Sequence, residues 1–112
     1  MPTADLDAVF SALADPTRRA ILERLADGPA TVNELAAPFA ISTPAITKHL
    51  QVLERAGLLS SERIAQTRPR RLETGPLADA QAWAESTRRT WEASHDRLAT
   101  YLIELQERSS HE

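Results

Sequence analysis

Between Pro76 and Gln106 no proline or glycine interrupts the chain, and Trp83, Thr87, Trp91, Ser94, Leu98, Tyr101 or Leu102, and Leu105 recur at steps of three and four. That period predicts one helix over about 76–106. About thirty residues at 1.5 Å each reach roughly 45 Å, longer than a domain of 112 residues is wide. Part of the apolar stripe therefore has no cover within its own chain, and a second copy of the chain is the simplest cover. Trp83 and Trp91 are read as packing anchors of such a seam rather than the lining of a ligand pocket, because aromatic side chains at helical spacing suit a helix–helix contact.

At 112 residues and 12.4 kDa the chain is too short to divide its apolar residues between two cores, so one domain over residues 1–112 is expected. Hydrophobic residues at 42%, with five aromatics, Phe10, Phe39, Trp83, Trp91 and Tyr101, enough to anchor a core, argue against wholesale disorder. The chain has no cysteine, which excludes disulfides, thiolate metal sites and cysteine nucleophiles. No apolar run approaches the roughly eighteen residues of a membrane span, and Met1 to Leu6 has neither the basic flank nor the apolar stretch of a signal peptide. A soluble, cytoplasmic protein with no membrane partner is the expectation.

The formal charge of -3 hides a strong asymmetry. Residues 42 to 73 carry six basic groups (Lys48, Arg55, Arg63, Arg68, Arg70, Arg71) against three acidic ones (Glu54, Glu62, Glu73), a net of +3, whereas the segments on either side each carry -3. A basic centre between acidic flanks suggests that the middle meets a polyanion while the ends meet something else.

Start and stop signals divide the first two-thirds of the chain. Leu6, Val9, Phe10 and Leu13 have helical spacing, and Asp15-Pro16 then supplies an N-cap followed by proline at the first helical position. The second helix, through Ala20, Ile21, Leu22 and Leu25, stops at Gly28-Pro29. Thr31-Val32-Asn33-Glu34 reads as a capping box opening a short third helix, limited by Pro38. Ser42-Thr43-Pro44 opens a fourth over about 43 to 56, with Ile46, Leu50 and Leu53 on one face and Gly57 as terminator. Leu58 to Ile64 and Pro69 to Thr74 then read as a two-stranded hairpin around Ala65-Gln66-Thr67-Arg68, although no Asn-Gly or Asp-Gly pair marks the turn. The expected class is mainly α with a small β-hairpin, in the order α-α-α-α-β-β-α.

Two helices joined by a short turn, the second followed at once by a basic hairpin, make a helix-turn-helix with a wing. With Ile46 pointing inward and about 100° per residue, Leu50 and Leu53 stay near it, while Pro44, Lys48, Gln51 and Arg55 fall on the opposite face with Thr47 on the flank. Glu54 lies off to one side. A small, polar, cationic face of this kind suits the major groove, where Lys and Gln meet base edges and Thr and Ser meet phosphate or a thymine methyl. The Ser42 hydroxyl and the helix N-terminus together favour a phosphate oxygen. Such faces are common on solvated helices, so the face alone decides nothing. The hairpin tips the balance: Arg68, Arg70 and Arg71, with Gln66 at the tip, put cations where a minor groove or phosphate backbone would lie.

The stretches Ala14-Asp15-Pro16-Thr17-Arg18-Arg19-Ala20-Ile21-Leu22, Thr43-Pro44-Ala45-Ile46-Thr47-Lys48-His49-Leu50-Gln51-Val52-Leu53-Glu54-Arg55-Ala56-Gly57-Leu58-Leu59 and Arg68-Pro69-Arg70-Arg71-Leu72-Glu73, with the Trp83 and Trp91 helix ending Tyr101-Leu102, together resemble the ArsR family of bacterial winged-helix repressors. The resemblance covers nearly the whole chain. It is closest to the metal-independent branch, typified by small autorepressors often encoded beside a START-type ligand-binding protein. It implies a homodimer through the first and last helices, with Leu6, Val9, Phe10, Trp83, Trp91, Leu98, Leu102 and Leu105 at the interface, on a palindromic double-stranded DNA operator. Residue by residue, it places the DNA contacts at Ser42, Thr43, Pro44, Thr47, Lys48, His49 and Gln51, and on the wing at Gln66, Arg68 and Arg70. Relatives usually have Gly-Arg where this chain has Ala65-Gln66, which removes one minor-groove cation and leaves Arg70 as its replacement.

Many relatives hold metals or metalloids through a cysteine pair on the third helix, and Asn33-Glu34-Leu35-Ala36-Ala37 offers no thiolate. Others bind zinc with an Asp and a His two residues later on the last helix, completed by a His and a carboxylate near the partner's C-terminus. Here the candidates are His95-Asp96 and His111-Glu112, and adjacent residues about 100° apart on a helix do not converge on one ion. No metal or cofactor is expected, and no effector is implied; His95 is read as a polar neighbour in the dimer seam. A protein-binding adaptor on the same fold and a metal- or ligand-responsive member of the family are the competing readings. An enzyme is not expected, since no nucleophile motif, phosphate-binding glycine loop or paired-carboxylate motif is present.

Overall fold

A computed structural model describes residues 5–110. In chain order it contains α1 (Leu6–Leu13), α2 (Pro16–Leu25), α3 (Val32–Ala36), α4 (Thr43–Arg55), β1 (Leu59–Ser61), β2 (Arg70–Leu72) and α5 (Gly75–Ser110). Each of the first four helices starts on a side-chain oxygen that satisfies an otherwise free backbone N–H. Asp5 accepts from the Ala8 amide, Asp15 from Thr17 and Arg18, Thr31 from Glu34 in a complete capping box, and Ser42 from Ala45. The expected element order is what forms.

At the far end of α4, Gly57 adopts φ +77°, donates to the Glu54 carbonyl at 2.9 Å, and lets Leu58 donate back to Leu53 at 3.0 Å. This paired closure needs a left-handed residue, which glycine adopts at no steric cost. It drives Leu58 and Leu53, both wholly buried, against the core and launches β1 directly from the end of α4. The strands pair antiparallel in the register Leu59 with Leu72, Ser60 with Arg71 and Ser61 with Arg70. They are shorter than the two extended runs expected. The hairpin nonetheless continues to its tip, where Ile64 and Thr67 exchange backbone hydrogen bonds around Ala65 at φ +55°. An alanine in that left-handed position is strained where glycine would not be.

The chain divides into two compact units, Met1–Ala80 and Gln81–Glu112. The first holds a core of Val9, Ala12, Ile21, Leu22, Leu25, Ala30, Leu35, Ile46, Leu50, Leu53, Ala56, Leu58, Leu59 and Ala80, with no buried polar residue among those described. This core is aliphatic although the chain has aromatics enough to anchor one: Phe39 packs only at its edge, and Phe10, Trp83, Trp91 and Tyr101 are exposed. Val9 also departs from expectation. It is completely buried in this core and so is no interface residue, and Leu6 packs partly against the same core.

The second unit is a length of helix. At 1.5 Å per residue the 36 residues of α5 extend about 54 Å, longer than expected at both ends. Past Ala80 the helix has two unlike sides. Trp91, Leu98, Leu102 and Leu105 share one side; from its flank round to the far side, Arg88 pairs with Glu85 and Glu92, and Arg89 with Glu85. Trp91 is 64% exposed, and its ring stacks on His95 at 5.1 Å.

A candidate nucleic-acid interface

Apolar packing of Ile46, Leu50 and Leu53 seats α4 on the core, and the Asp15-Pro16-Thr17-Arg18-Arg19 stretch adds a polar contact to it. Arg18 donates from Nε to the Ala12 carbonyl at 2.7 Å and from Nη2 to Ser11 at 3.0 Å, while Arg19 donates to Leu13 at 2.8 Å. Two arginines of α2 thus satisfy the free carbonyls at the end of α1, where cations are also favoured by the helix dipole. The third nitrogen of Arg18 stands 3.4 Å from Nδ1 of His49 on α4. The Asp15 carboxyl is held below the usual carboxylate range, chiefly by the hydrogen bond from the Arg18 amide. One short motif therefore caps α2, closes α1 and touches α4.

On α4, Ile46, Leu50 and Leu53 are buried and Pro44, Lys48, Gln51 and Arg55 are exposed, which is the division expected from helical geometry. Ser42 and Thr43 are exposed at the start of the helix, with the Ser42 hydroxyl 3.3 Å from the Ala45 amide. Thr47 is half-buried on the flank and donates its hydroxyl to the Thr43 carbonyl. His49 sits at the inward edge of the face against Arg18 rather than among the outward residues.

The hairpin adds exposed cations at Arg63, Arg68 and Arg71, with Gln66 exposed at the tip. Arg70, expected to stand in for a tip cation, is different: without DNA it is engaged within its own chain. Its Nε donates to Oε1 of Glu54 at 3.0 Å, its Nη1 to the Arg68 carbonyl at 2.7 Å, and its side chain is 13% exposed. This pair takes the one carboxylate of α4 out of play. Lys48, Arg55, Arg63, Arg68 and Arg71 then face solvent against only Glu62 and Glu73, of which Glu73 accepts from Ser60 at 2.6 Å. Alternation along the strand signals Arg71, because Ser60 and Arg71 point away from the Leu59–Leu72 pair that faces the core. No comparable signal marks Arg63, which the irregular tip exposes.

A family model described as a helix-turn-helix domain matches residues 13–62, from the end of α1 to just past β1. The HTH-type transcriptional regulator Rv2034 of Mycobacterium tuberculosis is 46% identical over 72 residues, covering 64% of this chain and 67% of that protein. The transcriptional repressor SdpR of Bacillus subtilis is 40% identical over 78 residues, covering 70% of this chain and 87% of the relative. A crystal structure of an ArsR family transcriptional regulator superposes with a TM-score of 0.73 at 42% identity, over 78% of this chain and 90% of the other. The chain belongs to the ArsR family. It is a winged helix-turn-helix transcriptional regulator with DNA as its partner, not an enzyme.

A second structure, an ArsR-like transcriptional regulator from Rhodococcus, superposes with a TM-score of 0.75 at 29% identity over 83% of this chain and 88% of its own. Among the described residues of this ArsR protein no three His, Asp or Glu side chains gather in a way that could hold a metal ion. His111 and Glu112 lie outside the described residues. No helix among them is long and apolar enough to cross a membrane.

Proposed function

We propose that the protein is a sequence-specific transcriptional repressor that binds a palindromic operator as a homodimer. The observation that carries this reading is the α4 face: Pro44, Lys48, Gln51 and Arg55 are turned outward together, and the only carboxylate of that helix is occupied by Arg70. Lys48 and Gln51 read base edges in the major groove, Ser42, Thr43 and Thr47 meet phosphate or a thymine methyl, and Gln66, Arg68 and Arg71 reach the flanking groove and backbone. Two copies of α4 in successive major grooves stand about 34 Å apart. Phe10 on α1 and Trp91, Leu98, Leu102 and Leu105 on α5, exposed in the single chain, form the seam between the copies, with Trp83 beside them. Repression is supported by the similarity to a relative named as a transcriptional repressor, and a cytoplasmic site of action goes with it.

The test is a gel shift of the purified protein on its own upstream DNA over a salt series, with footprinting to locate the half-sites. Binding should weaken by orders of magnitude from about 50 to 200 mM salt, as expected when several phosphates are neutralised. Salt-insensitive or absent binding overturns the reading in favour of a protein-binding adaptor.

A further inference from the structure

Arg70 makes contacts that no other wing cation makes. Its backbone exchanges hydrogen bonds with Ala30, N–H to carbonyl at 2.7 Å and carbonyl from N–H at 3.1 Å, so β2 is tied to the segment between α2 and α3. On its other edge Arg70 pairs with Ser61 of β1. Its guanidinium then reaches Glu54 on α4 and the Arg68 carbonyl within the wing. A planar fork with donors in fixed directions can bridge two acceptors in this way, where an ammonium would supply only a point charge. Glu54 itself is two-thirds shielded, so the pair is partly desolvated, and removing either partner leaves the other without compensation.

We propose that Arg70 is a positioning residue: through Glu54 it holds the wing at a set distance and angle from α4, so that Arg68 and Arg71 reach the flanking groove while Lys48 and Gln51 read bases. The inference rests on the DNA-binding reading above and assigns a pair within it that directs the wing without touching the duplex. The alternative is that Arg70 swings out to contact DNA, and the two accounts predict opposite signs for one substitution. If Arg70 contacts DNA, Glu54→Gln removes a negative charge near the phosphates and releases the arginine, so affinity rises. If Arg70 positions the wing, Glu54→Gln lowers affinity.

The experiment measures operator affinity and its salt dependence for the wild-type protein, Glu54→Gln, Arg70→Gln and the double variant. The expected result is a loss of about tenfold for each single variant and no further loss for the double, as for two residues acting through one contact. The slope of log affinity on log salt should stay close to wild type in Glu54→Gln, and hydroxyl-radical footprints should lose their flanking protection while the central major-groove protection persists. Tighter binding by Glu54→Gln, or additive losses with the Arg70→Gln slope shallower by about 0.9 per lost contact, overturns the proposal. Hydrogen exchange on the free protein separates this from failure of the functional reading. Even if the wild-type protein binds no DNA, the positioning role requires faster exchange at the Ala30 and Arg70 amides in Glu54→Gln, and unchanged exchange overturns it.

Discussion

The residues up to Ala80 and the length of α5 beyond it solve the same problem in opposite ways. In the first unit every helix turns its apolar face onto a shared aliphatic core, and polar groups cap and tie the ends. Beyond Ala80 no described side chain is buried, although tryptophan and leucine recur at helical spacing along one side. A chain that leaves Trp91 64% exposed while burying every leucine from Leu50 to Leu59 is not short of packing ability. It has two classes of apolar surface, one satisfied within the chain and one suited to a second copy. The difference teaches that burial in one chain and apolar content are separate readouts, and only their mismatch points to a partner.

That comparison can be broken most directly by making the same substitution in both regions. Leu50→Ala, at a completely buried position, should destabilise the first unit by about 2–5 kcal/mol in denaturant unfolding, whereas Leu98→Ala in dilute, monomeric protein should change it by less than about 0.5 kcal/mol. Equal losses at the two sites would mean that α5 belongs to the same core. Next in size, Trp91→Ala should weaken self-association by about 2 kcal/mol or more, seen in sedimentation, with the secondary structure intact. A dimer unchanged in strength would move the seam elsewhere.

On the reading side, Lys48→Ala or Gln51→Ala should cost about 1–3 kcal/mol on the cognate site and little on random DNA, while Arg68→Ala should weaken both alike and make the salt slope shallower. Equal losses on both DNAs for the α4 variants would remove the distinction between reading helix and wing. The smallest expected effect is acid sensitivity of the caps. Asp15 and Glu34 are both held below their ordinary values, chiefly by backbone hydrogen bonds from Arg18 and Thr31 respectively. Their folded-state values being depressed, their contribution is complete above the ordinary carboxylate range and is lost as pH falls below about 4 through the lowered values. Denaturant midpoints measured between pH 6 and 3 should therefore drop, and Asp15→Asn, which caps without titrating, should flatten part of that drop.

The residues that start and stop elements were legible because capping and helix termination act over three or four positions. Asp15-Pro16, Thr31 with Glu34, Ser42 and Gly57 each do in space what their spacing implies. The outward face of α4 was legible for the same reason, as helical geometry alone separates Lys48 and Gln51 from Ile46 and Leu50. Val9 was misread because it shares its spacing with Phe10, and periodicity cannot tell a stripe that meets its own core from one that meets another copy. The pairing of Arg70 was not legible because a run of arginines looks uniform until a carboxylate sixteen residues earlier engages one of them.

The order of helices, the hairpin after the reading helix and the identity of its outward side chains were determined by the sequence alone, because each follows from interactions between near neighbours in the chain. Which apolar residues are consumed by the core, and which cation is spent holding the wing against α4, were decided only in the tertiary structure. Those outcomes depend on which distant segments meet, and no local period records that.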